Sequence, residues 1–172
     1  MRKVIALAVA VILIVGCKSE VAQKTTPEAQ QTTQQSETNK KVIIPEKEYA
    51  LLLVESLSCI YCKQLRKDIA TEENLQKALE TIDFFSILYE SYTPVKSNFG
   101  GEIIEMSERD LVRKLKALSF PNLIFYNREG NIILQIPGYL KPQQLICVID
   151  YVRLGAYKQE DVNSYLKKNK CA

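Results

Sequence analysis

The sequence predicts an α/β domain: a central mixed sheet with flanking helices and a short extra helix at the C-terminal end. Three observations carry this. Apolar, β-forming runs at residues 49–54 and 84–89 bracket charged helical patterns, which is the spacing of a βαβ unit with parallel strands. A helix with Leu111, Val112, Leu115 and Leu118 on one face is broken at Pro121 and followed by two apolar runs around a turn at 127–130, a β-hairpin signal. A last core helix then opens at Lys141 and Pro142. At 172 residues, 47% hydrophobic and 25% charged, the chain has room for one ordinary core.

The first residues read differently from the rest. Arg2 and Lys3 give a positive start, and residues 4–15 form an apolar run too short to span a bilayer as a mature helix. The run ends in Ile14, Val15, Gly16, Cys17, which resembles the lipobox of bacterial lipoproteins. That resemblance implies a signal peptide over 1–16, cleavage after Gly16 and lipid on Cys17. The expected location is therefore the cell envelope, anchored on the periplasmic side of the outer or inner membrane. An ordinary secretory signal or an uncleaved anchor, with Cys17 incidental, is the alternative. Residues 17–45 are rich in Gln, Thr, Glu, Ser and Lys and are read as a flexible tether, with an r.m.s. reach of about 30 Å for a random coil. The folded domain is expected over 46–172.

Within the domain, the first strand runs into Ser58, Cys59, Ile60, Tyr61, Cys62, Lys63. Cys59 is placed at a helix start, where unpaired amide groups and the helix dipole favour a thiolate. Cys62 follows one turn later on nearly the same face. Cys59 is thus the expected nucleophile and Cys62 the resolving thiol. Half of a metal site, or two reduced core cysteines, are the alternatives on spacing alone. A second helical piece over 71–81 takes Thr71 as its cap and Leu75 and Leu79 as its inner face. Residues 91–106, with Pro94, Gly100 and Gly101, are read as a loop or short hairpin insertion. Ser107 and Asp110 approximate a capping box for the next helix. After the hairpin, Leu145, Val148, Ile149 and Val152 form the stripe of the last core helix, Gly155 closes it, and 159–168 is a further short helix carrying Val162, Tyr165 and Leu166 on one side.

The order strand, Cys-x-x-Cys helix, strand, helix, proline-led hairpin, helix resembles the thioredoxin fold over about residues 46–157. The Cys-x-Tyr-Cys-Lys pattern, and the Gly138–Tyr139 pair before a proline-started helix, look like the extracytoplasmic thioredoxin-like proteins that include the thioredoxin of bacterial sulfur-oxidation clusters. The resemblance implies that Pro121 is the cis-proline beside the active site and that Phe120, before it, contacts substrate. Tyr61 is read as a substrate contact or as a cover for the helix start. The aspartate that thioredoxins bury six residues before the first cysteine is here Leu53. Glu55, the nearest acid, is read as facing away from the side of Leu53. Proton removal from Cys62 is left to Glu55, Lys63 or water.

Five cysteines leave four once Cys17 is given to lipid. With Cys59 and Cys62 as one pair, Cys147, on the helix face shared with Tyr151 and Leu154, is expected to pair with Cys171 as a structural disulfide. A buried inert Cys147 with a disordered Cys171 is the alternative.

The absence of histidine removes most zinc and copper sites and the usual general base, and a net charge of +3 is too small and scattered to argue for nucleic acid. The expected function is a membrane-anchored thiol:disulfide oxidoreductase working outside the cytoplasm. A reductase of protein disulfides is favoured, since the chain lacks room for the large helical insertion typical of strong oxidants. No diffusible cofactor is expected, because the Cys59–Cys62 disulfide carries the electrons. Protein thiols and disulfides and a membrane redox partner are the expected partners. The rival reading is a non-catalytic thioredoxin-fold module for binding or metal delivery.

Overall fold

A computed structural model describes residues 40–171. Strand β2 (Tyr49–Glu55) is buried at every position because it lies inside a four-stranded sheet and is covered on both faces. The sheet is completed by β3 (Asp83–Leu88), β6 (Asn122–Asn127) and β7 (Ile132–Pro137), in the order β3-β2-β6-β7. β3 runs parallel to β2, whereas β6 and β7 are antiparallel to their neighbours. Helices α1 (Ile60–Thr71) and α2 (Glu73–Leu79) make the crossover between β2 and β3. Thr71, read as the cap of the second helix, instead closes α1, donating its hydroxyl to the Lys67 carbonyl at 3.0 Å. Glu72 holds the cap position of α2 without a side-chain bond.

The alternation of β2 divides the core. Leu51 and Leu53 pack with Leu65, Leu75, Leu123, Phe125, Leu145, Val148 and Val152 beneath α1, α2 and α4 (Pro142–Arg153). Ala50, Leu52 and Val54 face the other way, onto Val95, Leu111, Val112, Ile124 and Tyr126. This second layer contains α3 (Glu108–Lys114) and a small sheet in which β4 (Pro94–Ser97) and β5 (Ile104–Ser107) form an antiparallel hairpin. The segment read as a loop or hairpin is thus the hairpin. Ser107 caps α3 by accepting from the Asp110 amide at 3.1 Å.

Two expectations are corrected in this layer. The tether does not reach residue 45: β1 (Lys41–Val42) pairs parallel to β4, Ile43 is buried, and the Tyr126 hydroxyl donates to the Ile43 carbonyl at 2.7 Å. Leu118 leaves the core stripe. Helix α3 ends at Lys114, Lys116 turns to φ 54°, and Ala117 is buried in place of the exposed Leu118. The left-handed residue breaks the helical phase that would have carried Leu118 inward.

At the C-terminal end Gly155, at φ 70°, ends α4, and a 3-10 turn (Ala156–Lys158) leads to α5 (Val162–Lys168). A disulfide joins Cys147 of α4 to Cys171, with Cα atoms 6.4 Å apart. Tyr151 is buried beside it and donates its hydroxyl to the Glu160 carbonyl at 2.6 Å, whereas Leu154 is exposed.

Candidate active site

The site forms where β2 gives way to α1. Cys59 is the N-cap of α1 and half-buried, and its sulfur accepts from the Cys62 amide at 3.0 Å. No acidic residue sits in the first turn of α1 to offset the positive end of the helix dipole, so negative charge on the Cys59 sulfur is favoured there. Cys62 is buried and disulfide-bonded to Cys59, with Cα atoms 5.3 Å apart. A half-buried sulfur at a helix start and a fully buried one a turn later suit attack and resolution, respectively.

The turn before Cys59 is held from outside. The Cys59 amide donates to the Ser56 carbonyl at 3.1 Å. Glu90, just after β3, accepts from Ser56 Oγ at 2.6 Å and from the Leu57 amide at 3.1 Å. The Ser56 hydroxyl, with the Leu57 amide assisting, holds the Glu90 carboxyl below its ordinary range. The loop carrying Glu90 is fixed to α3 by Arg109, whose guanidinium lies 5.3 Å from the ring centres of both Tyr89 and Tyr92.

The Phe120–Pro121 peptide is cis. Pro121 immediately precedes β6, whose start pairs Asn122 with Val54, so it stands at the same sheet edge from which the chain leaves toward Cys59. Its carbonyl accepts from the Gly138 amide at 2.7 Å. Phe120 is half-buried against Tyr89, with ring centres 5.4 Å apart. Tyr61 is exposed and stacks on Tyr139 at 6.0 Å. Tyr139 donates to the buried carboxylate of Asp68 at 2.6 Å, which also accepts from Gln64 Nε2 at 2.7 Å. Burial, then the Asp68 bond, pushes the Tyr139 phenol up to about 12.

A cavity of about 540 Å³ opens beside Cys62, lined by Glu55, Lys63, Arg66, Leu57 and Leu88 among others. Glu55 does not face away from the side of Leu53. Residues two apart on a strand share a face, and its carboxylate meets Arg66 of α1 through both oxygens, one bond being Arg66 Nε at 2.9 Å. The structure therefore brings Cys62, Glu55 and Lys63 to one cavity, with Pro121 leading into β6 on the other side of β2 and Phe120 packed on Tyr89. Cys17 lies outside the described residues, and no described helix is long and apolar enough to cross a membrane.

Glu90, Arg66, Asp68 and Tyr139 were missed in the sequence. Asp68 and Tyr139 lie 71 residues apart, and only tertiary packing joins them. The Glu90–Ser56 contact, 34 residues apart, follows from β2–β3 pairing and was in principle legible as two polar residues at the ends of adjacent parallel strands.

A cis-proline sheet edge beside a helix-capping Cys-x-x-Cys disulfide defines a thioredoxin-fold dithiol protein. The family model described as "Thioredoxin-like domain" matches residues 36–153, and the chain belongs to that family. Among solved structures, a thioredoxin-fold protein from Helicobacter pylori is similar at 24% identity and TM-score 0.68, covering 77% of this chain and 86% of the other. Thioredoxin O2 from Arabidopsis thaliana matches at 13% identity and TM-score 0.45 over 67% of this chain and 95% of its own. The exposed lipoprotein thioredoxin Etrx1 of Streptococcus pneumoniae matches at 16% identity and TM-score 0.37 over 66% and 85%. Curated protein sequences give no match. A thioredoxin-like domain with its Cys-x-x-Cys disulfide supports thiol–disulfide exchange in general.

Proposed function

We propose that the protein is a lipid-anchored thiol:disulfide oxidoreductase of the cell envelope that reduces disulfides of proteins outside the cytoplasm. The carrying observation is the half-buried Cys59 at the cap of α1, bonded to the buried Cys62. In the reduced protein the Cys59 thiolate attacks one sulfur of a substrate disulfide, forming a mixed disulfide and expelling the other sulfur as thiolate. Cys62 then attacks Cys59, releases the second substrate thiol and closes the Cys59–Cys62 disulfide, so two electrons pass to substrate. Glu55, in the cavity wall with Cys62, is the group to take the Cys62 proton, with Lys63 beside it. Tyr61 and Phe120 contact the substrate chain. The disulfide carries the electrons and no diffusible cofactor is needed. A membrane redox partner restores the dithiol, and the lipobox-like ending at Cys17 supports an anchor that keeps the domain near it.

The test is Cys62→Ser. An oxidoreductase accumulates mixed disulfides with envelope proteins through Cys59, released by dithiothreitol and abolished in the Cys59→Ser, Cys62→Ser double variant. Trapping nothing would leave a non-covalent binding module. For direction, a potential of the pair near about −270 mV fits the reductase, whereas one near about −120 mV makes the protein a disulfide donor.

A further inference from the structure

Tyr61 is open to solvent and yet its ring is held. It stands between the two cysteines in the first turn of α1, 57% exposed, and stacks on Tyr139 with ring centres 6.0 Å and planes 24° apart. Tyr139 comes from the connection between β7 and α4. Its phenol is fixed in turn, donating at 2.6 Å to Asp68, a carboxylate buried in α1 that forms no ion pair among the described residues. Tyr61 and Asp68 are seven residues apart, so about two turns of α1 put them on one face, and Gln64, the second donor to Asp68, lies between them. One tyrosine thus touches α1 at both ends of that face.

The residue before Tyr139 reaches the other half of the site. Gly138 donates its N–H to the Pro121 carbonyl at 2.7 Å from a backbone at φ 98°, which disfavours any side chain there. Residues 138 and 139 therefore join the cis-proline to the turn that carries the cysteines. Phe120, just before that proline, is backed in the same manner by Tyr89, with ring centres 5.4 Å apart. Phe120 packs with the core under α3, and Tyr139 with the core under α1. Each ring assigned to substrate contact is backed by a second ring.

A free surface ring loses rotamer freedom when a partner docks on it, whereas a stacked ring has lost it beforehand. We propose that Tyr139 is a positioning residue that presets the Tyr61 ring as a docking platform for the polypeptide carrying the substrate disulfide. It acts through Tyr61 on KM for protein substrates and leaves the chemistry of the thiols unchanged. The proposal rests on the exchange reading and adds to it how a protein substrate is received.

The test measures reduction of insulin by the full-length protein, with dithiothreitol as the electron source. Tyr139→Leu is expected to raise KM for insulin about three- to tenfold, the range of one aromatic contact, with kcat unchanged. The alkylation rate of Cys59 by iodoacetamide and the potential of the pair are expected to stay where they are. Tyr139→Phe also loses the bond to Asp68 but keeps the ring, and its KM should lie within about twofold of the unaltered protein. In a Tyr61→Leu background, Tyr139→Leu should add nothing further. Should Tyr139→Leu fail to fold, Tyr61→Leu, an exposed substitution, must by itself raise KM at least threefold. An unchanged KM, equal impairment in Tyr139→Phe and Tyr139→Leu, or effects that multiply in the double variant overturn the platform and leave the exchange reading intact. If the unaltered protein reduces no insulin and Cys62→Ser traps nothing through Cys59, the exchange reading falls and the platform with it.

Discussion

Glu90 supports the turn that aims Cys59, and its two acceptor bonds belong to the ionised carboxylate. Its folded-state pKa is lowered, first by the Ser56 hydroxyl. Stability from this group is therefore fully present above the unfolded-state value and is lost as pH falls through the lower folded one. The difference in urea midpoint between the protein and Glu90→Gln is expected at neutral pH and to close as pH drops through the carboxylate range. A gap independent of pH would mean that the contact is not ionic. Asp68 works in the opposite setting, buried in α1. Tyr139→Phe removes one of its donors and is expected to cost about 1–3 kcal/mol in urea unfolding, since the remaining donor, Gln64, satisfies only one oxygen.

Elements were legible where local chemistry and tertiary demand agreed. Strand β2, the hairpin of β6 and β7, and the capped start of α3 follow from apolar runs, turn residues and Ser107. The end of α3 was not legible: its stripe is periodic through Leu118, and nothing in Lys116 announces a left-handed backbone. Val42, Ile43 and Ile44 did announce β1, but the polar composition before them masked the signal. Loops between elements also carry tight constraints. Gly130, at φ 83°, turns the hairpin so that a Cβ there would fall 1.9 Å from the Asn98 carbonyl oxygen. That oxygen belongs to backbone, so Gly130→Ala is expected to lose at least about 1–3 kcal/mol and to separate the hairpin turn from residues 98–100. Amide exchange at Gly100, whose N–H donates to the Gly130 carbonyl at 3.3 Å, would report it.

Across the described domain, one sheet separates the layer of α1, α2 and α4 from that of α3 and the small sheet, and the C-terminal segment is held to α4 by covalent linkage. The pairing of Cys147 with Cys171 closes a separation of 24 residues. In the chain-entropy description such a loop contributes about 3 kcal/mol, so Cys147→Ser with Cys171→Ser should lower the unfolding free energy measured in urea by about that amount. The Cys59–Cys62 potential is expected not to move, because the two bridges lie on different elements. A changed potential would mean that α4 transmits strain to α1. The two cysteines of the site could be read from the chain, because they sit at a strand-to-helix junction, whereas the cis form of Pro121 followed only from the family resemblance. The cavity could not, since Lys41, Glu55, Arg66 and Leu88 meet only after β1, β2, α1 and β3 have assembled.

The same assembly governs how the domain can be cut. The outer edge of β3 is closed by side chains: the Leu88 amide donates to Glu108 at 2.6 Å, and Lys41 reaches both Glu108 and, at 3.3 Å, the Ser86 carbonyl. A protease that trimmed the chain back to Glu46 would remove the lysine that spans this edge and the Ile43 plug together. What remained would keep both redox cysteines yet leave the β3 edge covered by Glu108 alone, and so more open to pairing with another strand. A domain beginning at Lys40 keeps Lys41 and Ile43 in place, whereas one beginning at Glu46 loses both.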